Sequence, residues 1–221
     1  MTQVAGVHVV MHPAVADRLA RLRDRDTPTP VFRTLLEELG TFVGYEASRD
    51  VPLEDVPVTT PVTRAIAQRI ATRPVVAPIL RAGLGLLPGF LRVIDDAVVA
   101  HLGFYRDPAT LQPVPYYANV PEDLAARHIF VLDPMLATGN SGAAAISALE
   151  SRGASAVTFV CLIAAPEGIR RLQEAHPHVR IVTAAIDERL NDHGYIVPGL
   201  GDAGDRMFGS TSSVPVSVRP T

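Results

Sequence analysis

The sequence predicts an α/β fold: a central parallel sheet flanked by helices, with a small C-terminal hood and a lid arm. Three observations predict it. Short apolar runs recur from Pro74 onward, at residues 75–80, 97–103, 129–132, 156–164 and 179–186, and each ends in a turn. Helical patterns fall between most of these runs, as parallel strands require, and near-continuous apolar strands indicate a sheet covered on both faces. Finally, residues 191–209 carry Gly194, Gly199, Gly201, Gly204 and Gly209 at spacings that fit neither helix nor strand, which gives a loop beyond the sheet.

At 221 residues and 48% hydrophobic content the chain can bury one full core. We expect a single domain over 1–221, with an N-terminal helical part (1–72), a core sheet (73–187), a loop at 188–210 and a tail at 211–221. Residues 7–10 read as a short strand and 13–25 as an amphipathic helix. Thr29-Pro30 reads as the N-cap and first turn of a helix carrying Leu35, Leu36, Leu39, Phe42 and Val43. These helices are expected to cover the sheet or a partner subunit. Residues 46–61 read as connection and edge strand, and 62–71 as a helix.

Composition narrows the chemistry. The apolar runs are too short and broken for a membrane span, and the N-terminus lacks a signal-peptide pattern, so a cytoplasmic protein is expected. Cys161, the single cysteine, sits in an apolar run and reads as a buried strand residue. A net charge of -3 argues against nucleic acid as the main partner. There is no lysine, so all 20 basic residues counted as Lys+Arg are arginine. That removes Walker-type phosphate binding, Schiff-base chemistry and kinase chemistry, and leaves any phosphate clamp to arginine, main chain and metal.

The most informative stretch is residues 129–142, I-F-V-L-D-P-M-L-A-T-G-N-S-G. A buried strand meets a small, hydroxyl-bearing turn, and an alanine-rich helix follows. Such a turn presents the free N–H groups and positive dipole end of the helix start above the sheet edge, an anion site suited to phosphate. Thr138 and Ser141 add hydroxyls, Gly139 and Gly142 allow close approach, and Asp133 can accept hydrogen bonds from a sugar diol. Phosphate beside diol indicates a phosphorylated ribose; read alone, the stretch has an ordinary capped βα turn as its less favoured alternative.

A second strand-turn, V-A-P-I-L-R-A-G-L-G at 76–85, places Arg81 at the sheet edge, facing either an anion or a carboxylate. Residues 105–117 form a long connection with turn residues at its tip, as a lid would, and Arg106 there either closes over an anion or is a surface arginine. In the third stretch, N-D-H-G-Y-I-V-P-G-L-G-D-A-G-D-R-M-F-G at 191–209, main-chain groups can face a small planar ligand. A flexible excursion is the alternative, and His193 reads as a capping or surface residue.

Taken together, these stretches resemble the uracil phosphoribosyltransferases, from about His12 to Gly209. The motifs are I-L-R-A-G-L-G at 79–85, Y-R-D at 105–107 with P-V-P-Y-Y at 113–117, D-P-M-L-A-T-G at 133–139, A-A-P-E-G-I at 164–169 and G-Y-I-V-P-G-L-G-D-A-G-D-R at 194–206. The resemblance implies a type I phosphoribosyltransferase fold and transfer of ribose 5-phosphate from phosphoribosyl diphosphate to uracil, giving UMP and diphosphate in pyrimidine salvage. Mg²⁺ rides on the diphosphate, with no direct protein ligand. It implies that Arg81 and Arg106 bind the diphosphate and that Asp133, Pro134, Met135, Leu136, Ala137, Thr138, Gly139, Asn140 and Ser141 cradle the phosphoribosyl group. Ile196, Gly201, Asp202 and Ala203 would hold uracil, Asp202 reaching the phosphoribosyl substrate as well. Arg106, Asp133 and Asp202 are the residues expected to carry catalysis, in a homo-oligomer.

The chain departs from the family pattern at Asn140, usually glycine, where asparagine is expected to tolerate left-handed backbone angles. It also departs at Leu86, Pro88 and Arg189. A pyrimidine-responsive RNA-binding regulator on the same fold would need a basic face, which a pI of 6.1 does not favour. A serine hydrolase elbow would need glycine where Gly139-Asn140-Ser141-Gly142-Ala143 has alanine.

Overall fold

The computed structural model describes residues 5–106 and 113–210; the side chains of Tyr105, Arg106 and Pro113 also fall outside the description. After β1 (Val7–Val9), α1 (Pro13–Arg23) opens on a proline whose missing N–H is no loss there, and His12 caps it by accepting the Ala14 N–H at 3.1 Å. α2 (Thr29–Ala47) buries Phe32, Leu35, Leu36, Leu39 and Val43 along one stripe. Its expected cap is corrected: the Phe32 N–H reaches Pro28 O at 2.9 Å, so Pro28 is the cap and Thr29 already lies in the first turn.

The larger correction concerns residues 62–71. β2 (Leu53–Thr59) and β3 (Arg64–Ile70) pair antiparallel along their whole length, so the expected helix is a strand and the N-terminal part is not wholly helical. The helix-like spacing of Val62, Ala65, Ile66 and Ile70 loses to local turn chemistry. Thr60 Oγ1 accepts the N–H groups of Val62 and Thr63 at 3.1 and 3.0 Å, and that turn folds the chain back on β2.

The core follows, with the expected strands and two that were not expected, β7 and β9: β4 (Val75–Leu80), α3 (Leu87–Leu91), β5 (Val98–Val99), β6 (His101–Arg106), β7 (Pro113–Asn119), β8 (His128–Leu132), β9 (Met135–Leu136) and α4 (Asn140–Glu150). Then come β10 (Ala156–Val160), β11 (Ile163–Ala164), α5 (Pro166–Ala175), β12 (Arg180–Thr183), β13 (Ala185–Ile186), β14 (Arg189–Leu190), β15 (Ile196–Val197) and α6 (Ala203–Phe208). The main sheet runs β1-β12-β10-β8-β4-β6-β7, with β5 beside β4. Its pairings are parallel except that β7 runs antiparallel to β6, so the described part of the expected lid connection is a two-stranded ribbon. The lid tip at 107–112 and the tail at 211–221 lie outside the described residues.

Alternating side chains divide the core between the two faces. Val76, Phe130, Leu132, Val160 and Val182 pack with α1, α2 and α3, while Val75, Ala77, Ile129, Val131, Phe159 and Ile181 pack with α4 and α5. Cys161 is fully buried on the second face, as expected, but it lies in the break between β10 and β11 and not within a strand, and burial pushes its thiol up to about 12. Beyond β8, β10 and β12, the small parallel sheet β9-β11-β13 extends the carboxyl edge on which the site is built.

Candidate active site

β8 delivers Asp133 to the sheet edge. Its N–H donates to Val160 O at 3.1 Å, and its Oδ1 accepts the Met135 N–H at 3.2 Å. The turn behind it is stitched to the β10–α5 connection: the Leu162 and Ile163 N–H groups donate to Pro134 O at 3.0 and 3.2 Å, and that of Ala165 donates to Leu136 O at 2.9 Å. A Cβ on Gly168 would lie 2.4 Å from Ala137 O and 2.6 Å from Leu136 O, so only glycine lets α5 start this close to the turn. Gly139, at φ 79°, caps α4 without a side-chain bond; the Asn140 N–H leans on Thr138 Oγ1 at 3.5 Å, and the Ser141 and Gly142 N–H groups are left for an anion.

Asn140 departs from its expected role. The left-handed residue is Gly139; Asn140 is the first residue of α4, and its Oδ1 accepts the Arg171 Nε–H at 3.2 Å. Asp133 is pushed up to about 7, chiefly by burial and further by the negative charge of Asp202, against the opposing Met135 N–H. That carboxyl is poised between acceptor and donor near neutral pH.

Arg81 follows a cis peptide at the end of β4. Its side chain is half exposed, with Nη2 3.9 Å from Asp205 Oδ1 and the guanidinium 5.2 Å from the centre of the Phe208 ring. It rests against α6 at the rim, while its neighbour Ala82 lines the cavity. Arg106 ends β6, and its side chain lies outside the description.

The opposite wall is the hood. Asn191 Oδ1 accepts the N–H groups of His193 and Tyr195 at 3.0 and 2.9 Å, and closes the turn between β14 and β15. A Cβ on Gly194 would lie 3.8 Å from Thr138 Cγ2, so the hood tip stands over the turn after Asp133. Glu167, in the first turn of α5, accepts the Leu190 N–H at 3.3 Å and ties hood to sheet. Past the cis Val197–Pro198 bond, Asp202 caps α6, its Oδ1 accepting the Asp205 N–H at 2.9 Å.

Between these walls is a cavity of about 450 Å³. Of the sequence-predicted residues, Asp133, Met135, Leu136, Ala137, Thr138, Gly139, Ser141, Ile196, Gly201, Asp202 and Ala203 line it. Pro134 is buried, Asn140 faces Arg171, and Arg81 stays at the rim. Gly194 and Tyr195, which the sequence placed in the glycine-rich stretch without a role of their own, also line it, and the turn brings His193 to the lining. The Asn-x-His-Gly-Tyr spacing of an Asx turn was the available signal.

An anion-binding strand–turn–helix at the carboxyl edge of a mostly parallel sheet, under a separate C-terminal hood, is the architecture of the type I phosphoribosyltransferases. Adenine phosphoribosyltransferase from Trypanosoma brucei, solved in complex with AMP, pyrophosphate and ribose-5-phosphate, shares the fold: TM-score 0.58 over 97% of this chain and 94% of that one, at 12% identity. A solved protein from Aquifex aeolicus is nearer, with a TM-score of 0.89 and 38% identity over 94% of this chain and 100% of that one. The family model described as uracil phosphoribosyltransferase matches residues 9–210. Uracil phosphoribosyltransferases of Streptococcus equi subsp. zooepidemicus and Streptococcus pneumoniae are each 54% identical to this chain, over 91% and 92% of it and 97% and 98% of their own lengths. The chain belongs to the uracil phosphoribosyltransferase family.

Proposed function

We propose that the cavity transfers ribose 5-phosphate from phosphoribosyl diphosphate to N1 of uracil, releasing diphosphate and UMP. One observation carries this reading most: the Asp133–Ser141 turn and the Ile196 and Gly201–Ala203 segments line a single cavity, so an anion-and-diol site faces a main-chain wall. The 5-phosphate sits on the first turn of α4, and the Asp133 carboxyl accepts from the ribose hydroxyls. Arg81 leaves its loose partner Asp205 for the diphosphate, and Arg106 approaches from the β6–β7 ribbon. The anomeric carbon becomes cation-like as diphosphate departs, so the work consists of alignment and neutralising the leaving charge, and no covalent nucleophile is needed.

Bound together with the diphosphate, Mg²⁺ would help to neutralise its leaving charge. Asp133 and Asp202 are the hard oxygen donors bordering the cavity, and these suit a magnesium-bearing substrate. The comparisons support the transferase and not the RNA-binding regulator. We place the enzyme in the cytoplasm as a homo-oligomer. Its contact surface is the β2–β3 hairpin, where Leu53, Val62 and Ile66 are exposed, and light scattering of Ile66→Glu tests this by loss of the oligomer.

The deciding assay is UMP formation from uracil, phosphoribosyl diphosphate and Mg²⁺, with cytosine and 5-fluorouracil in parallel. Main-chain readers cannot rotate, so cytosine, which inverts two positions of the pairing edge, should be disfavoured by at least about 100-fold, while 5-fluorouracil is used. Equal specificity constants for cytosine and uracil would sink the assignment of Ile196 and Gly201–Ala203.

A further inference from the structure

The segment between the two base-wall pieces, Val197 to Leu200, is gripped from a distant part of the chain. Arg23, the last residue of α1, meets Asp187 with two bonds, Nη2 to Oδ1 at 2.6 Å and Nη1 to Oδ2 at 2.8 Å. The same pair holds both main-chain groups of Gly199. Arg23 Nη1 donates to Gly199 O at 2.8 Å, and the Gly199 N–H donates to Asp187 Oδ2 at 2.8 Å. The Asp187 side chain is only 4% exposed, so its carboxylate has exchanged water for these three donors.

Gly199 is a sensitive place to hold. Its φ is +62°, and a Cβ there would lie 2.2 Å from Ile196 O, so the turn is closed tightly on the residue that begins the base wall. Two residues further on, Gly201 resumes the cavity lining. Neither Arg23 nor Asp187 lines the cavity, so any effect they have on the base is indirect, and Gly199 is where both of their side chains touch the hood.

We propose that Arg23 and Asp187 are positioning residues for base recognition: their ion pair fixes the Gly199 backbone, and through it the main-chain groups of Ile196 and Gly201 that read the pairing edge. This rests on the reading of the site given under Proposed function. A buried ion pair serving stability alone would lower the melting temperature and treat both substrates alike. A positioning pair acts on one substrate. A main-chain displacement of about 1 Å costs up to about 100-fold in a reaction that depends on alignment.

The test uses the full-length protein and four variants: Arg23→Ala, Arg23→Lys, Asp187→Asn and Asp187→Ala. Initial rates are measured with uracil varied at saturating phosphoribosyl diphosphate, and the reverse. Arg23→Ala, Asp187→Asn and Asp187→Ala should raise KM for uracil about tenfold or more and narrow the preference for uracil over cytosine, with KM for phosphoribosyl diphosphate within about twofold. Arg23→Lys keeps the charge but not the fork, and should fall between wild type and Arg23→Ala. If wild type makes UMP and the folded variants shift both KM values together, or neither, the proposal is overturned while the base site stands. If wild type does not use uracil, both fall. Failure of all four variants to fold, by circular dichroism, makes the pair purely structural and also overturns the proposal.

Discussion

On the phosphate side of the cavity, the Asp133–Ser141 turn is held by its immediate neighbours, the chain after β10 and the start of α5. On the base side, the hood is held partly from the far end of the chain: Arg23 of α1, together with Asp187, grips Gly199, and Arg206 Nη1 donates to Leu22 O of α1 as well as to Leu200 O, each at 2.8 Å. Main-chain packing makes the first wall rigid and intolerant of added atoms. A few charged tethers make the second adjustable, and sensitive to single side chains at long range.

If that contrast is right, the largest effect of a small change belongs to the phosphate wall. Gly168→Ala puts a methyl against Ala137 O and Leu136 O, and should cost about 3 kcal/mol in denaturant unfolding together with most of the turnover. A silent Gly168→Ala would break the claim of rigidity. Arg206→Ala is the counterpart on the base wall: it removes three bonds to main-chain carbonyls, those of Leu22, Asp24 and Leu200, and the stacking of the guanidinium 4.4 Å from the Phe32 ring centre. We expect a loss of about 2 kcal/mol, with KM for uracil rising more than that for phosphoribosyl diphosphate.

Asp133 lies where the walls meet, and its titration sharpens the contrast. The folded, ligand-free protein keeps a proton there up to about 7, whereas an unfolded-chain carboxyl releases it near about 4. Unfolding therefore releases a proton between these values, and Asp133 makes stability fall as pH rises through that window. The substrate needs the ionised form as acceptor, so KM for phosphoribosyl diphosphate should rise severalfold as pH falls below about 7. Asp133→Asn should flatten both profiles, in kinetics and in thermal melts.

The smallest effect is expected at Asn140. Because Gly139 takes the left-handed conformation, Asn140→Gly gains no backbone ease and loses the Arg171 contact. It should cost under about 1 kcal/mol and leave KM for phosphoribosyl diphosphate unimproved. A marked fall in that KM would show that the turn is more pliable than its packing implies.

The same contrast explains what sequence reading could find. The phosphate wall is one contiguous strand–turn–helix, so the gathering of Asp133, Thr138 and Gly139 at one cavity was visible from local pattern alone. The sheet strands were visible for the same reason, although Ala100, Ala184 and the Cys161–Leu162 pair interrupt three of them. Residues 62–71 were misread because helix-compatible spacing gave no hint of the Thr60 turn that pairs them with β2. Arg23 and Asp187 are 164 residues apart, and no local pattern links them; a lone carboxylate just past an apolar strand at the ligand edge was the one available sign.

The tethers from α1 also set an order in time. Joining Arg23 to Asp187 and Gly199, and Leu22 to Arg206, closes loops of 164, 176 and 184 residues, whereas Asn140 meets Arg171 across 31. Long closures cost more chain entropy, and are made only after the intervening sheet exists to bring their ends together. As the chain leaves the ribosome, α1 is among the first parts made, and it waits for nearly the whole protein before its last turn finds its partners. A folding molecule therefore completes the turn proposed to hold phosphate before the wall proposed to read the base.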